Sequence, residues 1–128
     1  MVPNALRTWF IIHFVADILF AIPLLVFPAT FLGYFGWTTV DPVTSRVVAA
    51  ALIGIGGESL FGRQGSLASY RTMLRLKILW SAAAVIGFVV SLVQGAPWGT
   101  WLFLAVFAAF SGLWIYWAGR LASISSQG

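Results

Sequence analysis

The sequence predicts an all-α integral membrane protein, a four-helix bundle with both termini cytoplasmic, and three observations carry that expectation. Only 8% of its 128 residues are charged while 61% are hydrophobic, against about a quarter charged in soluble domains. Mean hydropathy is +0.99. A soluble chain of this size would still expose roughly a third of its unfolded surface, too much to hide so many apolar side chains. The other two observations are four apolar runs of spanning length and a one-sided distribution of Lys and Arg.

A span needs ~20 mostly apolar residues, because the hydrocarbon core is ~30 Å thick and a helix rises ~1.5 Å per residue. The first run covers 6–27 and stops at Pro28, with Pro23 expected to kink it. The second, 42–61, is opened by Asp41 as N-cap with Pro42 at the first helical position. The third, 71–94, ends at Gln94-Gly95. After the short turn Gly95-Ala96-Pro97-Trp98 the fourth covers 98–119. Arg7 precedes an apolar run, as in a signal peptide. That run is too long, carries His13 and Asp17 and lacks a small-x-small cleavage site, so it is expected to be retained.

Arg7, Arg63, Arg71, Arg75, Lys77 and Arg120 fall on one side of this arrangement and only Arg46 on the other, which orients both termini to the cytoplasm. The net charge of +4 is thus read as topology in the cell membrane and not as nucleic-acid binding. The connection Ala29–Val40, with Phe31, Tyr34, Phe35 and Trp37, is expected to rest at the outer interface. No repeat or low-complexity tract interrupts the chain, and one domain over 1–128 accounts for it. Absence of cysteine excludes disulfides, thiolate metal sites, iron–sulfur clusters and cysteine nucleophiles.

Ionisable groups inside a bilayer are costly and each needs a partner, water or an interfacial position. Measured from the basic span ends, His13 lies ~9 Å deep, Asp17 ~15 Å, Glu58 ~7 Å, Arg75 ~6 Å and Lys77 ~9 Å. His13 and Asp17 are four apart and share a helix face. Glu58 belongs to the row Ala50, Gly54, Glu58, Gly62, whose small residues are expected to face the bundle. The five ionisable residues are therefore expected to line a polar ligand-binding pocket open to the cytoplasm, with Glu58 paired to Arg75 or Lys77. The bland reading is a buried pair that sets helix register, with Lys77 snorkelling. For Asp17 the functional readings are proton coupling or binding of a cationic group. His13 reads as an interior hydrogen-bonded histidine; as a haem or metal ligand it would need a second ligand from another protomer. No metal site is expected.

On the fourth run, Phe103, Phe107, Phe110, Trp114 and Trp117 form a stripe opposite Ala105, Ala109, Gly112 and Gly119. Small residues mark tightly packed faces in membranes, so the rings are expected to meet lipid, a partner subunit or a flat apolar ligand such as a quinone or pigment. No phosphate loop, metalloprotease motif or Ser-His-Asp set is present, so no enzyme is expected.

The motifs Pro28-x3-Leu32-Gly33, Asp41-Pro42-x3-Arg46, Gly54-Ile55-Gly56-Gly57 and Tyr70-Arg71-x3-Arg75 resemble the DoxX-like and related uncharacterised families of small four-span membrane proteins. The resemblance implies a four-helix bundle and, for some relatives, association with redox enzymes that pass electrons to quinone; it implies no catalytic residue. Three functional expectations follow. The first is a non-enzymatic membrane protein binding a small molecule, lipid or ion in its bundle, as a homo-oligomer or an accessory subunit of a membrane complex. The second is a proton-coupled small-molecule transporter, resembling the small multidrug resistance proteins in length, four spans and one acidic residue in the first. The third is a subunit of a quinone, haem or pigment complex. The cofactor, if any, is not specified by these residues.

Overall fold

Residues 1–126 are described by a computed structural model, with side chains through residue 124. The chain is all-helical: α1 (Asn4–Val26), α2 (Pro28–Gly33), α3 (Pro42–Phe61), α4 (Leu67–Val93) and α5 (Gly99–Ser126). Four of these, all but α2, are long and apolar enough to cross a membrane. The helices group into two compact units, one over Pro3–Gln64 and one from Gly65 onward.

In the first unit, α1 continues through Pro23 and ends only at Phe27, where the backbone turns to φ −139° and ψ 64°. A residue that precedes proline is pushed out of the helical region, and Phe27 precedes Pro28. The connection expected as an interfacial loop begins instead as α2, opened by Pro28 at its first position. Its rings collapse on one another: Phe31 sits edge-on to Phe20 at 6.1 Å and to Phe35 at 5.3 Å between centroids. The chain then enters α3 through the Asp41 cap, whose carboxylate accepts the Val43 N–H at 3.0 Å and the Thr44 hydroxyl.

α1 and α3 are antiparallel and are joined at both ends by arginines. Arg46, in the first turns of α3, donates from Nε to the Leu25 carbonyl at the end of α1, at 3.0 Å. Arg7, at the start of α1, donates to the Arg63 carbonyl just beyond α3. Carbonyls at helix C-termini have no partner within their own helix and carry the negative end of the helix dipole, so a guanidinium is the natural group to meet them. Between these clamps α1 buries Leu6, Phe10, His13, Asp17, Ala21 and Leu24.

The buried stripe of α3 is Ser45, Ala49, Leu52, Gly56 and Ser59, at alternating steps of four and three. This corrects the expected inward row: Ala50, Gly54 and Glu58 are exposed. Two adjacent rows of this helix are rich in small residues, so smallness does not choose between them. The buried row includes serines that satisfy themselves locally. Ser45 donates to the Asp41 carbonyl at 2.8 Å and Ser59 to the Ile55 carbonyl at 3.0 Å.

In the second unit, α4 starts a turn earlier than the apolar run suggests, because the Ser66 hydroxyl accepts the Ser69 N–H at 3.2 Å and caps it. It ends in a Schellman turn, with the Ala96 N–H on the Ser91 carbonyl (3.0 Å) and the Gly95 N–H on the Leu92 carbonyl (3.1 Å). Gly95 has φ +85°, which only glycine adopts without strain. α5 returns antiparallel and runs past Gly119, because Trp114, Trp117 and Leu121 continue one buried stripe. Arg71, near the start of α4, donates to the Leu121 carbonyl of α5 at 3.4 Å, five residues before that helix ends at Ser126.

The α5 faces are also the reverse of the expectation. Trp114 and Trp117 are buried, Phe103, Phe107 and Phe110 are half-buried, and Ala105, Ala109, Gly112 and Gly119 are exposed. Phe88 packs on Phe107 at 5.3 Å and Phe103 at 6.3 Å, and Trp80 on Phe107 at 6.2 Å. Ring-on-ring contact across α4 and α5 contributes beyond the area it buries, and here it decides which face turns inward.

Candidate functional site

Among the described residues the buried side chains of the Asp, Glu, His, Lys and Arg types are His13, Asp17 and Lys77. The first two share the inward stripe of α1, and their side chains meet at 3.4 Å between Nε2 and Oδ1. The spacing of four makes this contact possible, since residues at i and i+4 stand one above the other on a helix. Each is only 6% exposed. The pair is a base beside an acid, able to hold a proton between them or to present a carboxylate to a cation.

The backbone of α3 comes unusually close to Asp17. A Cβ added at Gly56 would lie 2.8 Å from the Asp17 Cβ and 2.9 Å from its Oδ2. The carboxylate thus occupies room that any other residue at 56 would fill. Gly54, one position of the parallel row, has open space at the corresponding point, so the two glycines have different roles although they belong to one Gly-rich run.

In the second unit Lys77 is only 2% exposed, and its Nζ stands over the Trp114 ring at 5.1 Å from the centroid. This is cation–π geometry, and Trp114 is itself fully buried. Arg75 is exposed and lines a cleft with Arg71 on α4 and Ala118 and Ala122 on α5. Residues two apart in a helix are separated by ~200° of azimuth, so Arg75 and Lys77 look in opposite directions from one helix. Glu58 is exposed on α3.

Of the five residues expected to form one pocket, the structure joins His13 to Asp17, turns Arg75 away from Lys77 and leaves Glu58 outside the buried stripe of α3. Depth along a span carries no azimuth, so it does not say which side chains of a helix turn inward. Gly56 and Trp114 were missed as parts of the site. The steps of four and three linking Ser45 to Ser59 were the available signal for Gly56. Trp114 was hidden within an aromatic stripe assigned to the outside. No three His, Asp or Glu side chains among the described residues are grouped to hold a metal ion. No family model, no curated protein and no solved structure matches the chain, so the functional reading rests on this chemistry.

Proposed function

We propose that the chain is a multi-pass protein of the cell membrane, with both termini cytoplasmic, that binds an ion or small cationic ligand at the His13–Asp17 pair without catalysing a reaction. The observation that carries the reading is that an acid and a base lie 3.4 Å apart, each buried, midway along a helix apolar enough to cross a membrane. Ionisable residues at that depth are expensive and mark ligand or ion sites by default. The reading is narrower than a five-residue pocket: Asp17 is the ligand-binding carboxylate, His13 sets its protonation, and Gly56 makes the room.

Calorimetry on the purified protein with a lipophilic cation, tetraphenylphosphonium, tests it. Asp17→Asn should weaken binding by roughly tenfold or more, ~1.4 kcal/mol, with His13→Ala intermediate. Equal binding by wild type and Asp17→Asn, or none by either, removes the proposal. The same pair favours a second reading, proton-coupled transport, because His13 and Asp17 can exchange one proton for a cation. In proteoliposomes with an imposed pH gradient, wild type should then accumulate ethidium and Asp17→Asn should not.

A further inference from the structure

We propose that the cleft between α4 and α5 is a binding site for one anionic phospholipid, with its phosphate on Arg71 and Arg75 and an acyl chain along α4. The cleft, of about 330 Å3, is lined by Arg71, Arg75, Ile78 and Leu79 of α4 and by Ala118 and Ala122 of α5. Charge complementarity names the sign of the occupant. The chain's three carboxylates, Asp17, Asp41 and Glu58, all precede residue 65, so the second unit has Arg71, Arg75, Lys77 and Arg120 and no acidic residue.

The two arginines are placed to share one anion. They stand one helical turn apart on the same face of α4. Arg71 uses Nη2 on the Leu121 carbonyl, which holds its guanidinium against the cleft while its other N–H groups stay available. Arg75 has no hydrogen-bond or ion-pair partner among the described residues. Guanidinium groups suit phosphate because their N–H forks match two of its oxygens.

The apolar part of the cleft distinguishes a lipid from a free anion. Ala118 and Ala122, one turn apart on α5, leave the groove that larger side chains would close. From Leu79 in the cleft, Ile86, Val90 and Val93 follow at steps of seven, four and three, and the four are all exposed, one continuous face. From Arg75 to Ile86 that face extends ~17 Å, about half the thickness of the hydrocarbon core, which is the reach of one acyl chain below its phosphate. A soluble phosphate would use the arginines and leave this face uncovered.

The inference rests on the membrane reading and not on the His13–Asp17 site. Native mass spectrometry of the detergent-purified full chain, with equal phosphatidylglycerol and phosphatidylcholine of the same acyl chains, tests it. Wild type should retain one phosphatidylglycerol in preference to phosphatidylcholine by roughly tenfold or more, about fivefold for each arginine. Arg71→Gln/Arg75→Gln should lose the preference, and Arg75→Gln alone, at an exposed position, should lose about fivefold of it. Ala118→Leu/Ala122→Leu, which keeps both arginines and fills the groove, should lose it too. Arg120→Gln should keep it. Equal retention of the two lipids by wild type, survival of the preference in either the arginine or the groove-filling variant, or equal loss in Arg120→Gln overturns the proposal. Failure of the membrane reading would look different: the protein would stay in solution without detergent.

Discussion

Gly56 is where a single atom matters most in the first unit. A methyl group there would stand 2.8 Å from the Asp17 Cβ, and that atom, fixed to the α1 backbone, cannot swing aside. Either the helices part or Asp17 changes rotamer, and overpacking of this kind costs ~1–3 kcal/mol. Gly56→Ala should therefore lower the Tm of the purified protein. Gly54→Ala, with nothing within 4 Å of the added carbon, should leave it unchanged or raise it, since alanine is the better helix former. Equal effects of the two substitutions would mean that Asp17 does not nest against α3. Lys77 is arranged differently in the second unit: its buried Nζ faces the Trp114 ring, whose quadrupole attracts a cation.

At the scale of the element, helix ends carry much of the polar chemistry. Asp41 accepts bonds from Val43 and Thr44, and the Thr44 hydroxyl is the leading cause that holds its carboxyl below the ordinary value of 3.8. A depressed pKa adds stability that is present above the unfolded value and is lost as pH falls through the folded one. The Tm advantage of wild type over Asp41→Asn, which keeps a capping side chain but does not titrate, should thus be present at neutral pH and be lost as the pH falls below the ordinary carboxyl value. An advantage independent of pH would assign it to something other than the charged cap. At the same end of this helix pair, Arg46→Gln removes the bond to the Leu25 carbonyl. Because Arg46 is exposed, the loss should be modest, ~1 kcal/mol or less, read as a Tm decrease relieved by salt to a smaller extent than a purely ionic contact.

Helix ends were also what the residues made most legible. Asp41-Pro42 and Gln94-Gly95 each state a boundary through specific capping bonds, and the structure has α3 starting at Pro42 and α4 ending at Val93. Ser66 caps α4 by the same kind of bond, and the helix starts at Leu67, ahead of the basic residue at the edge of the apolar run. The rotation of each helix about its axis was far less legible. In a soluble helix the polar side marks the outside; here apolar residues cover all sides, and small residues lie on more than one row of α3. That is why Glu58 was turned inward, and the aromatic stripe of α5 outward, in the expectations. Only the contacts themselves, Phe88 with Phe107 and Gly56 with Asp17, choose the face.

At the scale of the whole molecule, the three arginine clamps bear on how its basic residues are interpreted. Arg7, Arg46 and Arg71 each donate to a backbone carbonyl on, or just beyond, an antiparallel neighbour helix, so part of the basic rim that suggests orientation also has a structural duty. Arg46 shows that such a clamp is used at the end assigned to the outer face, whereas the excess of Arg and Lys is at the other. If the excess sets topology, the order of sides follows from two antiparallel hairpins: the turns at 34–41 and 94–98 outside, the connection at 62–66 inside. The chain has no cysteine, so a single introduced thiol reports its own side without background. In intact cells a membrane-impermeant maleimide should label Thr39→Cys and Ala96→Cys but reach Gln64→Cys only after permeabilisation. Labelling of Gln64→Cys from outside, with Thr39→Cys and Ala96→Cys protected, would invert the topology and put the Arg71–Arg75 cleft at the opposite leaflet. Labelling of all three without permeabilisation would mean that the helices, although long enough, do not cross.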